Sequence, residues 1–203
     1  DIQSGVTAQL LSTKGLGSGD ISLAGQLQFS GAQGTLANRL NGAGAVTLAD
    51  GSNMNFSADK SAFSGSVNIG SGTTLSASAG SQLGTATVAN NGNLVLHSDG
   101  DWTFTNAMSG SGKLVKEGDG IIRVSSEYAH SGGTEITHGS LVMDNAASAL
   151  SGSGDVRIAE GATLAGYGSI GGSVFNFGTL AVGNGSELLR SATTGTLTIA
   201  GGL

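Results

Sequence analysis

Few residues in this sequence have the type and spacing for catalysis or metal binding. The three histidines are His97, His130 and His138. None has a cysteine partner, and no pair shows the H-x3-H spacing of a metal site, so they read as surface or turn histidines. The nearest approach to a G-D-S-G nucleophile motif is Gly118-Asp119-Gly120, which lacks the serine. Four carboxylates, Asp99, Asp101, Glu117 and Asp119, fall near successive repeats. They are the candidates for a Ca²⁺ site, or for the clustered acids with which a β-helix cleaves polysaccharide. Aspartate beside glycine is also ordinary turn chemistry, and solvated turns are the simpler reading. No catalytic residue, no metal and no cofactor is therefore expected. Gly17-Ser18-Gly19-Asp20-Ile21 and Ser151–Val156 are each similar to one copy of a Ca²⁺-binding nonapeptide. That motif works in tandem, since each ion is shared by neighbouring turns. These copies are isolated and read as corners.

The elements that position these residues are strands. Glycine, a polar residue, then apolar residues at alternate positions form a unit that recurs along the chain. Gly112, Gly133 and Gly154 open three such units at intervals of 21 residues, and related ones start at Gly19, Gly44, Gly65 and Gly195. A second series runs through Gly25, Gly51, Gly72, Gly92, Gly120, Gly139, Gly161 and Gly178, with a mean step of about 22. That period is too short for paired helices, and the alternation selects strands. The spaced leucines of a leucine-rich repeat are absent. The prediction is an all-β, right-handed, single-stranded parallel β-helix of about eight or nine rungs, each of roughly 20–22 residues and stacked about 4.8 Å apart. Glycine is assigned to the corners for its access to positive φ. Leu114, Ile122, Ile136, Leu141, Val156, Ile158, Val174, Leu180, Leu197 and Ile199 are assigned to the core, with Trp102, Phe104 and Met108. The long interval from Gly92 to Gly120 reads as an insertion, with Asp99 and Asp101 facing outward. Alternation from Val174 turns Phe175 and Phe177 outward. That pair is a candidate interface, unless further chain covers it or a corner redirects it.

Composition narrows the function classes. The chain has 37 Gly, no Pro and no Cys among 203 residues, so no disulfide contributes to the fold. Charged residues make up 11% of it, with a net charge of −6. Nucleic acid, which needs clustered Lys and Arg, is not an expected partner. The sequence shows no signal-peptide pattern and no apolar run of membrane-spanning length, and a missing signal says nothing about location. Asp1 is not an initiator Met, which suggests a piece of a longer, processed protein.

Residues 110–143 resemble the autotransporter-associated β-strand repeat. The matching positions are Gly110-Ser111-Gly112, Leu114, Lys116, Gly118, Gly120, Ile122, Tyr128, Gly133, Thr134, Ile136, Gly139 and Leu141. The departure is Ile121-Ile122, where the family more often has Thr-Leu. From Gly161 to Gly185 the chain is similar to the start of the C-terminal autochaperone part of such passengers, with Val182 where Pro is usual. The resemblance implies a parallel β-helix like those of pertactin and the self-associating adhesins. It divides one continuous solenoid into rungs over 1–160 and an incomplete autochaperone-like region over 161–203. It further implies a non-catalytic passenger, exported by type V secretion through the periplasm and outer membrane of a Gram-negative cell. Such a passenger serves adhesion, aggregation or biofilm formation at the cell surface, or is released from it. The expected partner is a second copy of the chain, or a host surface protein or glycan. Membrane contact is expected only through a C-terminal barrel beyond Leu203. Two rivals remain: a stalk and folding module for a separate N-terminal functional domain, and a carbohydrate-active β-helix.

Overall fold

The computed structural model describes residues 1–144, 149–150, 154–182 and 197–199, with backbone only for Glu127, Ala149, Val182 and 197–199. Apolar residues at every second position make short strands with one face in the core. Each strand pairs in parallel with its counterpart one turn away, so the chain is a parallel β-solenoid. The first side is a ten-stranded sheet. Its strands are Thr7–Leu10, Gln26–Ser30, Ala45–Ala49, Ser66–Ile69, Thr87–Asn90, Met108–Gly110, Glu127–His130, Ala149–Leu150, Gly168–Ile170 and Leu197–Ile199. The second side has eight strands: Gln33–Leu36, Asn53–Phe56, Thr74–Ala77, Asn93–His97, Lys113–Glu117, Thr134–Ile136, Val156–Ile158 and Val174–Asn176. Eight strands there count about eight full turns. Turns are numbered below from Thr7–Leu10.

The third side changes character along the rod. From the fifth turn it is a five-stranded sheet of Trp102–Phe104, Ile121–Val124, Ser140–Met143, Thr163–Gly166 and Thr179–Val182. In the first four turns its place is taken by the two-residue strands Ile21–Ser22 and Leu40–Asn41 and by 3-10 turns at Thr13–Leu16 and Gly80–Gln82.

Register shows the repeat directly. Leu27, Val46, Val67, Val88, Met108, Tyr128, Leu150 and Ile170 stack in one inward column. Successive members are 19 to 22 residues apart (Leu27 to Val46 is 19, Tyr128 to Leu150 is 22). Leu114, Ile122, Ile136, Leu141, Val156, Ile158 and Val174 are buried in the same core, as are Phe104 and Met108. Leu180 is partly buried, packed against it. Trp102, assigned to the core, is only half-buried, on the outermost strand of the third sheet. Leu197 and Ile199 pair through their backbones with Gly168 and Ile170, and their side chains lie outside the described residues.

Two expectations need correction. The interval from Gly92 to Gly120 holds no insertion. Gly92 opens a second-side strand and Gly120 a third-side strand, and the second side advances only 20 residues there, from Asn93 to Lys113. The glycine series cross between sides because other residues also open strands: Ala86 and Ala107 precede the first-side strands of the fifth and sixth turns.

The second correction concerns why many corners are glycine. Gly51 and Gly72 do take positive φ, +74° and +71°. Gly44, Gly65, Gly92, Gly112 and Gly120 do not. They lie against the backbone of the preceding turn, where a Cβ on Gly65 would fall 1.8 Å from the Gly44 oxygen and one on Gly112 2.3 Å from that of Gly92. Glycine is needed there for close approach between turns, not for a left-handed bend.

Candidate functional site

The first side presents the plainest surface. Its outward positions are Thr7 and Gln9, then Gln26 and Gln28, then Ala45, Thr47 and Ala49, then Ser66 and Asn68, then Thr87 and Ala89, then Ser109. None is charged through six turns. Lateral hydrogen bonds join them. Thr7 Oγ1 donates to Gln26 Oε1 at 3.3 Å, Gln26 Nε2 to Thr47 Oγ1 at 3.0 Å, and Asn68 Nδ2 to the same hydroxyl at 3.4 Å. Further along, a shallow groove of about 410 Å³ runs between Thr87, Ala89, Ala107, Ser109 and Ala129.

The second side grades along its length. One outward column reads Thr35, Asn55, Ser76, Val95, Val115, Glu135, Arg157 and Phe175. Glu135 pairs with Lys113 in the turn before and lies 3.9 Å from Arg157 in the turn after. Exposed pairs of this kind add under about 1 kcal/mol each, so they give the surface its charge pattern more than its stability. Phe175 and Phe177 are 50% and 58% exposed, and the Arg157 guanidinium lies 4.5 Å from the centroid of the Phe177 ring.

The four candidate carboxylates do gather at one corner, between the second and third sides in the fifth and sixth turns. Asp99 lies 3.0 Å from His97 Nε2. Asp101 accepts from the Ile121 amide at 3.2 Å. Glu117 stacks in register on His97, and Asp119 faces solvent. Among the described residues, no three His, Asp or Glu side chains converge on a point that could hold a metal.

Beneath that corner lies a residue to which sequence reasoning gave no site. Lys116 is fully buried. Its Nζ donates to the carbonyls of Glu117 at 2.9 Å, Gly118 at 2.6 Å and His138 at 3.1 Å. Burial pushes its ammonium down to about 8, against the opposing pull of Asp119, Asp99 and Glu117, so it stays largely charged at neutral pH. Lys60 is also fully buried. It donates to Leu36 and Ala58 carbonyls at 3.3 and 3.2 Å and lies 5.0 Å from the Phe56 ring centroid. The available signal was parity, since Lys116 shares the inward phase of Leu114.

His130, expected at the surface or in a turn, is a further correction. Tyr128 and His130 share the inward phase, and His130 is buried. Its Nε2 lies 3.2 Å from the Gly133 carbonyl and 3.0 Å from the Thr134 hydroxyl. A carbonyl only accepts, which assigns the proton to Nε2. Burial holds the ring's pKa below its ordinary value, and Nδ1 has no partner among the described residues. With Thr134 buried as well, this pair braces a corner. Tyr128 stacks on Phe104 at 5.5 Å and donates to the Phe104 carbonyl at 2.8 Å.

The geometry defines the class as a parallel β-solenoid with broad lateral faces and a filled core. No family model matches the chain, and no solved structure matches it significantly. Three curated proteins are similar to parts of it. The chain is 35% identical to the uncharacterized lipoprotein YdeK of Escherichia coli K12 over 64% of its length, and 38% identical to the uncharacterized protein YuaQ of the same strain over 59%. It is 36% identical to the BmaC autotransporter adhesin of Brucella suis over 45% of its length. The chain spans only 10%, 8% and 3% of those relatives.

Proposed function

We infer that this chain is a segment of an autotransporter passenger on the bacterial envelope surface, and that its first side mediates contact with a second copy of the chain. The observation that carries the reading is the uncharged first side of turns one to six, with its lateral row of Thr7, Gln26, Thr47 and Asn68. Flat ladders of small polar side chains meet an identical ladder without burying unpaired charge. Each contact is weak, and many copies on two cells multiply it. Similarity to an autotransporter adhesin and to a protein named as a lipoprotein supports an envelope location. No chemistry is assigned to the segment.

The test uses cells displaying the full-length protein. Thr47→Lys with Asn68→Lys places like charges on the first side and should abolish clumping. Asn55→Lys with Ser76→Lys, on the second side, should leave clumping intact. Clumping that ignores the first-side charges, or cells that never clump, would refute the reading. A stalk role is the second reading, favoured by the small share of each relative that the chain spans. It predicts that the first-side charges leave adhesion unchanged.

A further inference from the structure

The Lys116 ammonium is held by main-chain oxygens. Its three acceptors are all main-chain carbonyls, and they come from two turns: Glu117 and Gly118 from its own, the sixth, and His138 from the seventh. Three N–H bonds of an ammonium match three oxygens at 2.6–3.1 Å. A neutral amine would leave a lone pair facing a carbonyl. Carbonyl oxygens in a ring are also how backbones replace the hydration shell of a bare monovalent cation. Gly118 takes φ +75°, which helps turn its carbonyl to the site. Burial opposes positive charge at this corner, and Asp119, Asp99 and Glu117 offset part of that cost. Lys60 repeats the arrangement between the second and third turns, with the Leu36 and Ala58 carbonyls and the Phe56 ring face as its partners. An aromatic face is itself a ligand for ammonium.

We propose that this corner is a monovalent-cation site built from main-chain carbonyls, filled in the native chain by the tethered ammonium of Lys116, which ties adjacent turns as a free ion would. The site goes beyond the surface function inferred above and does not depend on it.

Lys116→Ala vacates the site. Unfolding in urea, followed by the fluorescence of the single tryptophan, Trp102, is compared in five chloride salts at equal ionic strength: sodium, potassium, ammonium, propylammonium and tetramethylammonium. The variant's midpoint should fall by about 1 M in sodium or tetramethylammonium. Potassium, ammonium or propylammonium should restore at least half of that loss, with no such selectivity in the native chain. Lys116→Met fills the space without the charge and should stay destabilised in every salt. Equal midpoints in all salts for Lys116→Ala, or Lys116→Met as stable as the native chain, would overturn the proposal. If Lys116→Ala does not fold, ¹⁵N-lysine NMR of the native chain decides. A slowly exchanging ammonium at Lys116 supports the cage, and exchange as fast as that of exposed Lys14 refutes it.

Discussion

Lys60 and Lys116 make stability depend on pH with a definite sign. Unfolded, each holds its proton to about pH 10.5; folded, burial brings both down to about 8. Between pH 8 and 10 the unfolded chain therefore binds more protons, and stability should rise with pH. Above about pH 10 Tyr128 acts the other way, because burial raises its pKa in the fold. His130 adds a loss of stability below about pH 6.5, since its folded form resists protonation. Urea midpoints at pH 7.5, 9 and 10 check the first claim. A rise is expected in the native chain, and a flat response in the Lys60→Met, Lys116→Met double variant. These side chains were only half legible in sequence. Alternation gives their inward phase, as it does for Leu114 and Tyr128 beside them. It cannot show that a carbonyl of a neighbouring turn awaits a buried ammonium, because that acceptor is 22 positions away for Lys116 and 24 for Lys60.

At the scale of elements, the strands and their parallel stacking were readable from period-2 alternation at intervals near 20 residues. The sides were not, because the glycines that punctuate the chain serve two purposes that look alike in sequence. Substitution separates them. Gly65→Ala forces a methyl into the Gly44 carbonyl and should cost at least about 3 kcal/mol, since backbone on both turns must move. Gly51→Ala meets open space and carries only left-handed strain, about 1 kcal/mol. Gly100→Ala has neither problem and should stay within about 0.5 kcal/mol of the native chain. Thermal unfolding that fails to rank the three in this order would refute the close-approach account. The third side was equally opaque. Its first four turns use 3-10 and two-residue elements, and the sequence there carries too few alternating apolar residues to announce a sheet.

For the whole molecule, each turn contacts mainly its neighbours, so damage at one end need not spread to the other. Val46 and Val174 occupy buried inward positions in the third and ninth turns. Burying an aspartate at either place is strongly destabilising. If the turns from Gly161 onward nucleate folding, as the autochaperone resemblance implies, the two variants differ. Val174→Asp should abolish refolding from denaturant, whereas Val46→Asp should fray the N-terminal turns and leave a protease-resistant C-terminal core. Equal loss in both, or a resistant N-terminal core, would refute directional folding. The parallel ladders also fix how such a rod answers force. Its hydrogen bonds run from turn to turn, roughly along the axis, so tension between the two ends opens one turn at a time instead of shearing whole sheets. A turn adds only about 4.8 Å to the folded rod, yet its 19 to 22 residues reach roughly 70 Å when drawn out. Under tension, the rod would thus gain more than ten times the length of each turn it sacrifices, while the remaining turns keep their lateral faces in register.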